Sequence, residues 1–143
     1  LNIHATFLPF GKGIGTAMFS LLYPVSLGSS IHILRPEIDT GEIIYQEPLV
    51  LSSSIKTQRQ LYHFWVQHAA DLFLKNIDAI SRHNFLLKLQ TSEYITPYLS
   101  RDDSELILSL LPLRWDSTLS QIRNLSHLLA FRNTYNLLSD EFF

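Results

Sequence analysis

Between Thr57 and Ser81 the chain carries Leu61, Phe64, Trp65, Leu72, Phe73, Ile77 and Ile80 at three- and four-residue steps, with His68 in the same row. That spacing lays side chains along one face of an α-helix and predicts a long amphipathic helix covering a sheet. Ser54 or Thr57 supplies the N-cap oxygen. Downstream, Arg101-Asp102-Asp103-Ser104 opens a second helix running through Leu111. A final amphipathic helix is predicted over Asp116–Leu138, capped by Asp116, with Leu119, Ile122, Leu125, Leu128 and Leu129 facing inward.

Upstream the pattern is shorter-ranged. Residues 1–4 read as a strand and Ala5–Gly13 as a loop punctuated by Pro9, Gly11 and Gly13. Ile14–Tyr23 has helical periodicity and Pro24 stops it. A strand follows over Ser30–Arg35, then a turn-rich loop at 36–41. Ile43–Leu51 is a β-rich run broken by Pro48, which suits an edge strand or a bulge. Phe85–Leu89 reads as a further short strand. Strands interleaved with covering helices place the chain in the α/β class. No internal repeat or low-complexity stretch is present.

The polar residues set among these apolar runs carry the chemistry. Asn2 and His4 are two apart, so on a strand they project from the same face. An amide N–H can stabilise a developing oxyanion, and an imidazole can exchange a proton near neutral pH. A carboxylate such as Asp39 can orient that imidazole or share in proton relay. Together the three are suited to acyl-type transfer without a covalent enzyme intermediate.

In order, the chain reads Asn2-Ile3-His4-Ala5-Thr6-Phe7-Leu8-Pro9, Gly11-Lys12-Gly13, Gly28-Ser29-Ser30-Ile31-His32, and Ile38-Asp39-Thr40-Gly41 with Ile43 and Gln46 close behind. This resembles the folate-dependent formyltransferase family, whose pattern runs Asn-x-His-x-Ser-x-Leu-Pro, a Gly-containing loop, Gly-x-Thr-x-His and Leu/Ile-Asp-x-Gly. The order and the gaps agree across residues 1–46; Thr6 and Ser30 exchange one hydroxyl residue for another, and Ala5 departs from the usual proline. The resemblance implies a formyltransferase-type, Rossmann-like sheet, of which this chain would hold the C-terminal half followed by a mostly helical tail. Residues 1–90 would belong to the catalytic domain and 91–143 to the tail. Leu1 stands one residue before the motif asparagine, so a preceding nucleotide-fold half is expected.

The same resemblance implies roles. Asn2, His4 and Asp39 would be catalytic, with His32 and Thr6 in support. Arg35, Pro36 and Asp39 would lie on the loop that meets the folate. The formyl donor would be 10-formyltetrahydrofolate. The acceptor would be an amine, and the Trp115-Asp116-Ser117 tail resembles that of sugar N-formyltransferases acting on nucleotide-linked amino sugars. Methionyl-tRNA is the alternative acceptor, and an inactive or merely folate-binding remnant is the alternative without catalysis. A homodimer is one assembly left open.

Composition narrows these readings. With 46% hydrophobic and 17% charged residues the chain is globular rather than disordered. A net charge of −2 gives no electrostatic footprint for nucleic acid, which weighs against tRNA. No apolar run reaches the eighteen or so residues of a membrane span. The absence of cysteine excludes disulfides and thiolate metal sites and fits a cytoplasmic setting. Asp39-Thr40-Gly41 also matches the aspartic-protease triplet, but Arg35-Pro36-Glu37 before it and Glu42 after it do not suit that motif's apolar strands. His63 and His68 are five apart, which is wrong for a helical metal pair. Lys12 between two glycines falls short of a P-loop, and the Asn124-Leu125-Ser126 sequon lies in a predicted helix.

Overall fold

One face of a small antiparallel sheet is covered by a long helix; its other face is lined by polar side chains. The computed structural model describes residues 1–22, 26–91 and 100–126. In chain order the elements are β1 (Asn2–His4), α1 (Thr16–Leu22), β2 (Gly28–His32), β3 (Ile43–Pro48), α2 (Gln58–Ser81), α3 (Arg101–Leu110), a 3₁₀ turn at Arg114–Asp116, and α4 (Leu119–Leu125). The architecture is α/β, and the three strands pair antiparallel in the order β1-β2-β3.

Strand periodicity explains the two faces. Ile3 pairs with Ile31, and Ile31 with Tyr45, all on the side where α2 packs through Leu72 and Phe73. The register slips between Ile31 and His32, where Ile44 on β3 has no opposite residue. Ile44 joins the same apolar cluster. α2 is further tied to the sheet by polar contacts. Trp65 Nε1 donates to the Gly28 carbonyl, and Ser29 Oγ lies 2.9 Å from His68 Nδ1. Gly28 has no room for a side chain, since a Cβ there would meet Phe7 Cδ2 at 2.6 Å.

A second, larger core gathers α1, the first half of α2, α3 and α4 around Trp65, Ile107 and Ile122. α3 and α4 thus share one apolar interior with the helices nearest the sheet. Three capping boxes set the helix starts: Thr57 with Gln60, Ser100 with Asp103, and Thr118 with Gln121. The starts of α2 and α4 are stitched together by Gln58 N–H to Ser117 O at 3.1 Å and Leu119 N–H to Lys56 O at 2.9 Å.

Several elements differ from the pattern-based expectation. The strand expected at Ser30–Arg35 occupies Gly28–His32, because pairing with β1 and β3 fixes its ends. Phe85–Leu89 contributes a single bridge, Lys88 with Ile43, instead of a strand. Asp116 does not cap the last helix; it sits in the 3₁₀ turn and pairs with Arg59, and Thr118 is the cap. Leu119, Ile122 and Leu125 do face inward. Leu128 and Leu129 lie outside the described residues. On α2 the expected stripe is narrower, with Phe64 and Ile77 exposed and Ala69 buried in their stead.

Candidate functional site

The register of β1 against β2 places Asn2 opposite His32 and His4 opposite Ser30. All four therefore occupy the face turned away from α2. Asn2 Nδ2 lies 3.1 Å from His32 Nε2 and donates to Asp39 Oδ1 at 3.3 Å. His32 Nδ1 lies 2.9 Å from the Ile33 carbonyl, which can only accept, so Nδ1 carries the proton and Nε2 accepts from Asn2. Turning the Asn2 amide over would set its oxygen against a carboxylate and an imidazole lone pair. Both amide hydrogens are thus engaged within the cluster.

Asp39 reaches this face from the loop between β2 and β3. Its Oδ2 accepts from the Gly13 N–H at 2.9 Å and stands 3.7 Å from His4 Nε2; its Oδ1 is 3.6 Å from His32 Nε2. The residue adopts φ 52°, a left-handed conformation uncommon outside glycine but tolerated by aspartate. Gln90 Nε2 holds it there, donating to the Asp39 carbonyl at 2.8 Å and to the Gly41 carbonyl at 2.7 Å. Gly41 must be glycine, because a Cβ would stand 1.7 Å from the Ile33 carbonyl oxygen.

His4 is oriented by a different partner from the one anticipated. Its Nε2 donates to the Gly11 carbonyl at 2.9 Å, and Asp39 is only a neighbouring charge. Gly11 adopts φ 65°, which turns that carbonyl toward the imidazole. Burial pushes His4 below its ordinary range, outweighing the Gly11 hydrogen bond and the Asp39 charge that raise it. His4 is therefore neutral at pH 7, with its lone pair on Nδ1. For Asp39, burial pushes the carboxyl up, but the contact with His32, the Gly13 N–H and the charge of His4 outweigh it and hold it at about 2. The arrangement is an ionised carboxylate beside a neutral base and a fixed amide donor.

The loop after His4 is locked by Ser30 and Gln46. Ser30 Oγ donates to the Thr6 carbonyl at 2.7 Å and accepts from Leu8 N–H at 3.1 Å, while Gln46 Nε2 reaches the Leu8 carbonyl at 2.7 Å. Thr6 enters through its backbone; among the described residues its buried hydroxyl has no hydrogen-bond partner. Arg35 and Pro36 lie on the exposed outer part of the Asp39 loop, and the Arg35 guanidinium is engaged by Glu42 at 2.7 Å. Neither side chain joins the cluster. Leu34 at the start of this loop and Ile38 within it are exposed and offer apolar surface. Among the described residues no three His, Asp or Glu side chains form a metal-binding group. Gln90, Gly11 and Gly13 had no assigned role in the sequence pattern; the one hint for Gln90 is its place directly after the segment Phe85–Leu89 expected as a strand.

No established family model matches the chain. The methionyl-tRNA formyltransferase of Clostridium beijerinckii is 24% identical over 126 residues, covering 87% of this chain and 39% of that protein. Among solved structures, the formyltransferase PseJ from Anoxybacillus kamchatkensis, in complex with UDP-4,6-dideoxy-4-formamido-L-AltNAc and tetrahydrofolate, superposes with a TM-score of 0.76 at 28% identity. That match covers 85% of this chain and 62% of PseJ. The N-formyltransferase from Helicobacter canadensis, in complex with folinic acid and dTDP-3-aminofucose, gives a TM-score of 0.60 at 32% identity over 71% of this chain and 38% of that one. The chain thus spans about two fifths to three fifths of the length of these relatives.

Proposed function

We propose that this chain, which matches the formyltransferases in both sequence and fold, carries the formyl-transfer residues of an enzyme acting on the amine of a nucleotide-linked amino sugar. The observation that carries the reading is the convergence of Asn2, His4 and Asp39 from two separate stretches onto one sheet face. The relatives solved with tetrahydrofolate or folinic acid and a sugar nucleotide support it. 10-Formyltetrahydrofolate would supply the formyl carbon as the donor. The exposed loop from Arg35 to Asp39, with the apolar Leu34 before it and Ile38 within it, suits a planar heterocycle.

In this reading the acceptor amine forms a bond to the formyl carbon as the bond from that carbon to the donor nitrogen breaks. One proton passes from the amine to the released tetrahydrofolate. Asn2 turns the hydrogen now on Asp39, the longer of its two contacts, toward the formyl oxygen as negative charge grows there. Neutral His4 takes the amine proton at Nδ1, and Asp39 stabilises the imidazolium that results. The catalytic part is drawn through residue 90, where Gln90 braces Asp39. A cytoplasmic location belongs to the same proposal.

The test is formyl transfer by Asn2→Ala, His4→Ala and Asp39→Ala in the longest reading frame containing the chain, with an amino-sugar nucleotide and methionyl-tRNA as acceptors. Loss of one oxyanion donor should cost about a hundred- to a thousandfold in turnover. Rates near wild type in all three would end the assignment.

A further inference from the structure

Lys12 is the one charged residue in the loop between β1 and α1, and the steps proposed above leave it unused. Both peptide units beside its Cα are held by the sheet-face cluster. On one side the Gly11 carbonyl accepts from His4 Nε2 at 2.9 Å; on the other the Gly13 N–H donates to Asp39 Oδ2 at 2.9 Å. Gly11 at φ 65° and Gly13 at φ 97° make the turns that allow both contacts. The Lys12 side chain thus starts from backbone fixed between the imidazole and the carboxylate.

Lysines ordinarily keep their charge in water, and Lys56, Lys75 and Lys88 are exposed. Lys12 is half-buried, and among the described residues no carboxylate pairs with it. Both oxygens of the nearby Asp39 are taken, Oδ1 by Asn2 and Oδ2 by Gly13. Burial pushes the Lys12 ammonium below its ordinary range, against the Asp39 charge that raises it. Asp39, His4 and His32 are the titratable groups on the sheet face beside it. A partly desolvated ammonium on a flexible four-carbon stem is suited to proton transfer.

We propose that Lys12 is a catalytic acid, giving its ammonium proton to the donor nitrogen as the formyl group leaves it. The assignment rests on the formyl-transfer reading. At the start of that reaction Asp39 is ionised, His4 is a base whose one proton is committed to Gly11, and Asn2 is an amide. None of the three has a proton to give, and the leaving nitrogen needs one, since without it that nitrogen departs as an anion. As the acceptor nitrogen bonds to the formyl carbon, the bond from that carbon to the donor nitrogen breaks, and its electron pair takes the Lys12 proton. His4 Nδ1 takes the proton of the acceptor amine, and the imidazolium returns it to the Lys12 amine through water. The net transfer is still one proton, from acceptor to tetrahydrofolate. Burial favours the step, because a partly desolvated ammonium gives up its proton more readily.

The experiment is the pH dependence of kcat for formyl transfer from 10-formyltetrahydrofolate to an amino-sugar nucleotide, in the longest reading frame containing the chain. It compares the wild type with Lys12→Arg and Lys12→Met. Wild-type kcat should fall as pH rises through a value below the ordinary 10.5 of lysine. Both variants should lose about a hundredfold of kcat and the alkaline fall with it, at melting temperatures near wild type. Arginine keeps the positive charge and yields no proton, so it separates an acid from a mere charge. A Lys12→Arg rate near wild type, an alkaline fall kept in both variants, or no alkaline fall in the wild type would overturn the assignment. The two readings fail differently. A wild type without formyl transfer removes both, whereas wild-type transfer that Lys12→Arg leaves intact removes the Lys12 acid alone.

Discussion

The Gln90 side-chain amide holds the main chain of Asp39 at 2.8 Å, on the far side of the loop from the carboxylate that touches Asn2 and Gly13. A residue some fifty positions away thus keeps Asp39 in its left-handed conformation. Gln90→Leu removes two hydrogen bonds and should cost about 1–3 kcal/mol in urea denaturation. The Gly13 amide signal in an NMR spectrum should also shift, since its acceptor moves. An unmoved Gly13 signal would show that the loop holds itself.

His32 acts on Asn2 by the same logic. In His32→Leu the amide loses the acceptor that fixes its rotation. Turnover should fall about tenfold to a hundredfold, with little change in KM for the folate. An unchanged kcat would place the orientation of Asn2 elsewhere.

Stability should fall on acidification in two stages. Burial holds His4 below its ordinary value of 6.5, so the folded chain favours the neutral imidazole and loses stability as pH falls from 6.5 through that lowered value. Asp39, held at about 2 against 3.8, loses its share as pH falls from 3.8 toward 2. Thermal melting between pH 8 and 2 measures both. His4→Gln should abolish the upper stage and, by removing a charge that lowers Asp39, weaken the lower one.

Gly41→Ala forces a Cβ to within 1.7 Å of the Ile33 carbonyl oxygen, a contact that only backbone displacement relieves. The substitution should destabilise by more than about 3 kcal/mol, among the larger single-residue effects. Denaturant melting at neutral pH gives the value, and a loss under about 1 kcal/mol would contradict the geometry.

By contrast, Arg59 and Asp116 pair at 2.7 Å with both side chains more than half exposed. Exposed pairs contribute about 0–1 kcal/mol, so Asp116→Asn should leave the melting midpoint within a few degrees.

The helix of 24 residues was legible in the chain because its apolar spacing is local, and so was its Thr57 cap. The pairing of Asn2 and His4 on one face was legible too, since strand geometry alone fixes it. Three other features depended on residues far apart in sequence. The ends of β2 were set by its two neighbours and not by its own alternation. His4 takes its hydrogen bond from the Gly11 carbonyl, a backbone group with no signature in residue identity. α4 starts at Thr118, where Leu119 N–H to Lys56 O and Gln58 N–H to Ser117 O tie it to the start of α2, while Asp116 sits in the 3₁₀ turn. Periodicity and capping are written within a few residues, so the sequence determined the elements and the shared face. Which carbonyl meets which ring, and which amide braces which loop, depends on how separated segments pack, and only the tertiary structure decided that.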